Sequence, residues 1–221
     1  MLYIIATPIG NLEDLSFRAL RILREADYIL AEDTRVSKKL LDHYEIKNKK
    51  LISYHQHTSE KKVNELIKII KENKVALVTD AGTPGISDPG NQLIKTLKHE
   101  NIKTIPIPGP CAVITALSIS GLPTDEFLFL GFIPHKNKRE KFLREVLASK
   151  RTVVFYESPH RILKCLMQLI DLKCEKHLVV CRELTKKFET IYRGTAQEVL
   201  DQIRQGFPDN KIKGEFVLVA G

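Results

Sequence analysis

Apolar and polar positions along this chain keep two alternating rhythms. Short β-branched runs, LYIIA at 2–6, YILA at 28–31, VALVT at 75–79 and IKTIPI at 102–107, stand between stretches with helical spacing. Over 58–71, Val63, Leu66, Ile67 and Ile70 recur at i, i+3, i+4 and i+7, which lays one apolar stripe along a helix. Residues 15–26 do likewise with Leu15, Ala19, Ile22, Leu23 and Ala26. Strands alternating with helices of this length predict βαβ crossovers and a mostly parallel sheet. VALV is apolar at every position, as a parallel strand covered on both faces requires.

A helical run at 111–120 ends in the turn residues Gly121-Leu122-Pro123-Thr124-Asp125. Beyond it the pattern predicts strands at 127–133, 151–156, 177–181, 188–192 and 215–220, with helices at 138–148, 159–170 and 196–205. The last two strands lie close together in sequence, so this second sheet is expected to be mixed. The expectation is an α/β protein of two domains, 1–121 and 122–221.

Composition narrows the class. The 221 residues are 43% hydrophobic and 28% charged with a net charge of +8, the balance of a folded soluble chain. No apolar run approaches the ~18–20 residues of a membrane span. The start, MLYIIATPIGNLEDL, lacks the positive region and cleavage site of a signal peptide. The four cysteines, Cys111, Cys165, Cys174 and Cys181, form no CxxC pair. A reducing, cytoplasmic setting and no membrane contact are therefore expected. The charge is concentrated in two windows, net +4 over 35–50 and net +5 over 136–151, which together point to a polyanionic partner.

Familiar nucleotide loops are missing. No glycines are spaced as GxGxxG, and the one GxxxxG, Gly85 to Gly90, is followed by Asn91-Gln92 without the lysine of a phosphate loop. His55-Gln56-His57 offers two imidazoles but no third ligand at a usual zinc spacing, so no metal is expected. No GxSxG nucleophile elbow is present. Instead, three loops rich in Gly, Pro and Thr follow strands: 6–11, 79–90 and 106–112. Open α/β sheets bind ligands at the carboxyl ends of their strands. Glycine there permits close approach and proline fixes the path, so main-chain groups can clasp a small polar ligand. Asp88-Pro89 has the form of an N-cap and first helical residue, opening a helix at 88–99.

The segments ATPIGNLED, AEDTR, DAGTPGISDPG, PGPCAVITALSISGLP, FLGFIPHKNKRE and FYESPHR closely resemble the ribosomal RNA small-subunit methyltransferase I family, in order and over essentially the whole chain. That family belongs to the tetrapyrrole (corrin/porphyrin) methylase-like superfamily. The resemblance implies two α/β domains with S-adenosylmethionine in the cleft between them, usually in a homodimer. It also implies 2′-O-methylation of a cytidine ribose in the decoding region of small-subunit (16S) ribosomal RNA, with an assembled 30S particle as the expected substrate. Members of the family continue for several tens of residues past the segment matching FVLVAG, where this chain stops at Gly221. RNA affinity is the property that this difference bears on.

By position, the resemblance puts cofactor contacts on Ala81, Gly82, Thr83 and Ile86, with Asp80 and Pro84 in the same loop. Further contacts fall on Pro8, Cys111, Ala112, Glu157 and Leu184. A ribose hydroxyl is a weak nucleophile, so a base within hydrogen-bond reach is expected. Glu32, Asp33, His55, His57, Glu157 and His160 are the candidates, with Asp33 favoured for its place at a strand end. Asp33 equally suits the N-cap of a helix at 34–43, and His160 a packing role. Arg35 and Arg161 are expected to clamp phosphates, joined by Lys38, Lys39, Lys136, Lys138, Arg139 and Lys141 as contacts that position RNA without reading bases. Two rivals remain at this point. One is a methylase for a tetrapyrrole or other small molecule, which has little need of two basic windows. The other is an RNA-binding protein without catalysis, which predicts damaged cofactor loops.

Overall fold

The apolar runs of the first half become parallel strands of one sheet. In the computed structural model, which describes residues 1–209 and 211–221, these are β1 (Leu2–Ile5), β2 (Tyr28–Ala31), β3 (Lys50–Ser53), β4 (Val75–Val78) and β5 (Thr104–Ile107). Their order is β3-β2-β4-β1-β5, and every neighbouring pair is parallel. The crossovers are α1 (Phe17–Glu25), α2 (Thr34–His43), α3 (Glu60–Glu72) and α4 (Asn91–His99). Along β4, Ala76 and Val78 join a core layer with α1 and α2, while Val75 and Leu77 join one with α3 and α4. This two-sided cover is why VALV reads as a continuous apolar run. The stripe Val63, Leu66, Ile67 and Ile70 is the buried face of α3. Truncating one such leucine to alanine costs about 2–5 kcal/mol.

Helix starts in this unit follow capping chemistry, with one exception. Ser16, Asp33 and Ser59 accept hydrogen bonds from the first-turn N–H groups of α1, α2 and α3. The exception corrects an expectation: α4 opens at Asn91 behind Gly90, with no side-chain cap, so Asp88 and Pro89 precede the helix. Strand β3 was not expected. It is a short edge strand with only Leu51 and Ile52 as apolar residues behind a lysine-rich segment, so it has little pattern to show.

The second half builds its own sheet from β6 (Phe127–Phe132), β7 (Thr152–Glu157), β8 (Leu178–Arg182), β9 (Thr190–Gly194) and β10 (Phe216–Ala220), ordered β6-β7-β10-β8-β9. It is mixed as expected, but for another reason than the proximity of its last two strands. β10 inserts antiparallel between β7 and β8, and β9 pairs antiparallel with β8 at the edge of the sheet. Its helices are α5 (Ala112–Ser118), α6 (Arg139–Ala148), α7 (Ile162–Asp171) and α8 (Ala196–Gly206). Leu143, Val146, Leu166, Leu169, Val199 and Ile203 pack with Val153, Phe155, Val180 and Leu218 in one core. α5 packs on β7 and β10, and the chain divides into Met1–Cys111 and Ala112–Gly221, ahead of the turn at Gly121. Among the described residues, no helix is long and apolar enough to cross a membrane.

Candidate functional site

Because the strands of the first sheet run the same way, the loops after β1, β2, β4 and β5 all leave from one edge. Main-chain contacts stitch these loops together. The N–H groups of Thr7 and Gly82 each donate to the other's carbonyl, at 2.9 and 3.0 Å, and the Thr7 hydroxyl donates to the Thr79 carbonyl at 3.0 Å. The Thr83 hydroxyl reaches the Pro110 carbonyl at 3.1 Å, tying the second loop to the third. Gly82 has φ +81°, a conformation that L side chains rarely adopt. At Gly109 the need is space: a Cβ would lie 3.0 Å from the Ala6 Cβ and 3.3 Å from its carbonyl oxygen. Of the expected cofactor contacts, Pro8, Gly82 and Pro84 are buried, Thr83 and Cys111 half-buried, and Asp80, Ala81 and Ile86 exposed. Ala112 opens α5 of the second unit.

Carboxylates crowd the same edge. The Asp33 N–H donates to Asp80 Oδ1 at 3.0 Å, and the Asp80 N–H to Glu32 Oε2 at 3.4 Å. Burial, then repulsion from Glu32 and Asp80, pushes the Asp88 carboxyl up to about 7. Burial also raises Glu32, with the Asp80 N–H and nearby His55 opposing, and raises Asp80, with the Asp33 N–H and Arg35 opposing. Asp33 behaves oppositely. Hydrogen bonds from Arg35, through Nη2 at 2.6 Å and the main-chain N–H at 2.8 Å, lower it to about 2.

The expectation for Asp33 is thereby corrected: it is the α2 N-cap, and a carboxylate of such low proton affinity is a poor general base. Asp88 is the residue that sequence reasoning missed, because its place before a proline suggested a cap. His55 and His57 follow β3, both exposed, with the His57 N–H donating to His55 Nδ1 at 3.2 Å. Among the described residues, no three His, Cys, Asp or Glu side chains come together as metal ligands.

In the second unit, Glu157 at the end of β7 is buried and faces two guanidiniums. Arg139 Nη2 lies 2.6 Å from its Oε2, and Arg161 Nη2 lies 3.0 Å from its Oε1. The Ser158 N–H also donates to Oε1 at 2.7 Å. A carboxylate so neutralised and enclosed does not act as a base, which corrects the catalytic expectation for Glu157. Arg139 is corrected too: it is 3% exposed, and it also donates to Gln168 Oε1 and the Pro134 carbonyl, out of reach of RNA phosphates. His160, Lys136, Lys138 and Lys141 are exposed, as are Arg35, Lys38 and Lys39 on α2 of the first unit, and Leu184 is buried after β8.

Solved structures with this fold include the following two. Cobalt precorrin-4 methyltransferase, a cobalamin biosynthetic enzyme, aligns with a TM-score of 0.73 at 22% identity, over 100% of this chain and 94% of its own. Diphthine synthase aligns with a TM-score of 0.75 at 13% identity, over 100% and 89%. At those identities the likeness is one of fold alone. Residues 1–200 match the family of tetrapyrrole (corrin/porphyrin) methylases. The ribosomal RNA small subunit methyltransferase I proteins of Halalkalibacterium halodurans and Vibrio cholerae are 49% and 48% identical over 99% of this chain, which covers 74% and 76% of theirs. That of Escherichia coli O157:H7 is 45% identical, with 99% and 76% covered. The chain belongs to the tetrapyrrole methylase family, among the ribosomal RNA small subunit methyltransferase I proteins, and spans about three quarters of the length of these relatives.

Proposed function

We propose that the protein transfers a methyl group from S-adenosylmethionine to the 2′-hydroxyl of a cytidine ribose in the decoding region of 16S ribosomal RNA. The reading takes the assembled small subunit as substrate and the enzyme as a cytoplasmic homodimer. Relatives at 44–49% identity that carry the name of a ribosomal RNA methyltransferase support the RNA branch over a tetrapyrrole substrate. The basic windows at 35–50 and 136–151 support it again, as phosphate contacts.

The observation that carries the reading is the stitched carboxyl edge of the first sheet. Its exposed and half-buried loop residues, Ala81, Thr83, Ile86 and Cys111, would hold the donor with Pro8 and Gly82, largely through main-chain groups. When bound, the donor supplies an electrophilic methyl on a positively charged sulfur. Glu32, Asp80 and Asp88 fit that charge, because no guanidinium or ammonium is within ion-pair distance of their carboxylates among the described residues. Asp88 holds its proton to about pH 7, so among these acids it is the one whose proton affinity suits taking a hydroxyl proton near neutrality. The loops position the reacting groups and exclude water.

The test incubates the protein with methyl-labelled S-adenosylmethionine and small ribosomal subunits from cells lacking the gene. Label at a cytidine ribose is expected. Donor binding without RNA label would favour a small-molecule substrate, and no donor binding would favour a non-catalytic RNA-binding protein.

A further inference from the structure

We infer that Arg161 and His135 form a phosphate-binding site on the second unit, with Glu157 as the positioning residue that fixes Arg161. This rests on the RNA reading above. β6 and β7 are parallel neighbours, so the segments that follow them, 133–138 and 158–161, emerge side by side. The Ile133 N–H donating to the Tyr156 carbonyl at 3.1 Å fastens their start. Arg161 Nη1 then lies 2.8 Å from His135 Nδ1. A guanidinium can only donate, so Nδ1 is the acceptor in this contact, and His135 Nε2 lies 3.4 Å from the same Nη1, so the ring holds the Arg161 guanidinium in place.

Charge is unbalanced here. One carboxylate faces two guanidiniums, leaving one net positive charge. The side chains of Arg139 and Glu157 are 4% and 0% exposed, whereas that of Arg161 is 19% exposed. The surplus therefore reaches water at Arg161. Of its five N–H groups, Nε and one on Nη2 are directed to Glu157 and one on Nη1 to His135, which leaves one on each terminal nitrogen for an anion. Arg161 also occupies the N-cap position of α7 without a side-chain cap, so the first-turn N–H groups add positive potential beside it. Exposed Lys136 and Lys138 continue the same segment as His135. An anion that can run along this strip is a phosphate chain, and a single carboxylate would meet only its end.

Removing Arg161 leaves Glu157 paired with Arg139, so the Arg161→Ala protein is expected to fold. The experiment measures binding of a short single-stranded RNA by fluorescence anisotropy from about 50 to 200 mM salt, and S-adenosylmethionine binding by calorimetry, on the full chain. Arg161→Ala should weaken RNA binding about 3- to 10-fold and lower the log–log salt slope by about one, with donor affinity unchanged. Arg161→Lys should restore the slope. His135→Ala should weaken RNA binding without changing the slope. Glu157→Gln raises the net positive charge by one yet should weaken RNA binding, because Arg161 loses its anchor; a purely bulk-charge effect would tighten it. If that variant does not fold, the Arg161 and His135 variants decide.

Wild-type RNA affinity and slope in Arg161→Ala would overturn the site, as would a loss that falls on the donor instead, which would make the anion the donor's carboxylate. RNA binding that depends on Arg161 in a protein that methylates no RNA would sink the proposed reaction and leave the site standing.

Discussion

The carboxyl edge of the first sheet and the carboxyl end of β7 in the second solve opposite electrostatic problems. At the first, burial raises the proton affinity of Glu32, Asp80 and Asp88, and Asp88 is raised further by repulsion from Glu32 and Asp80, with no cation in ion-pair contact with the three among the described residues. At the second, Glu157 is met by Arg139 and Arg161 and the surplus is positive. The first is built from glycine, proline and main-chain groups, the second from long side chains locked by burial. On the proposed reaction, the first edge would receive the cationic donor and the second an RNA phosphate. A methyl transfer from a sulfonium to RNA needs both.

Breaking the buried ion pair should have the largest effect. Arg139→Leu leaves Glu157 with a single, partly exposed partner and is expected to cost about 3–5 kcal/mol, read as a fall in the denaturation midpoint. Arg161→Ala should lower it far less. Equal losses would mean that the two guanidiniums are equivalent and the surplus does not sit at Arg161.

Next in size is the chemistry at the acidic edge. Asp88→Asn should lower the methyl-transfer rate at pH 7 by about 100-fold or more, the usual contribution of a general base. It should also remove a rising limb of the wild-type pH–rate profile near pH 7. A variant that keeps the rate would transfer the base role to another group.

Gly109→Ala is expected to weaken donor affinity several-fold. Its Cβ would press on Ala6 and push the third loop off the first, so calorimetry should register the loss with little change in melting temperature. Unchanged affinity would separate that contact from the donor site.

The smallest effects are those of pH on stability, and the two aspartates differ in sign. Asp88 binds its proton more tightly folded than unfolded, so its contribution to stability falls as pH rises from about 4 towards about 7. Asp33, lowered to about 2, contributes stability above about pH 4 that is lost as pH falls towards 2. Melting temperatures of Asp88→Asn and Asp33→Asn across that range should flatten opposite ends of the wild-type curve.

Much of this was legible in the residues themselves. The fully buried strand β4 and the stripe of α3 follow directly from apolar spacing. The stitched loops were visible as clusters of Gly, Pro and Thr after strands, because those residue types restrict the backbone locally. What sequence could not show is how charges meet. Arg139 sits in a window rich in Lys and Arg, yet it shares the spacing of Leu143 and Val146 on the buried face of α6; that spacing was the available signal. Glu157 closes the apolar run of β7 and is carried into the core with it. Asp33 and Asp88 each follow capping rules on paper, but only Asp33 caps a helix, and the Asp88 environment depends in part on Glu32, far back along the chain on another strand's loop, which the fold alone brings near.

The central claim is that the under-neutralised acids of the first edge receive a cationic donor. The direct measurement is calorimetric titration of S-adenosylmethionine into the protein at pH 7 in buffers of different ionisation enthalpy. A positive charge arriving beside Asp88 should lower its proton affinity, so wild-type binding should release protons, and Asp88→Asn should bind without that release. Binding with no proton release in the wild type, or no binding at all, would contradict the claim.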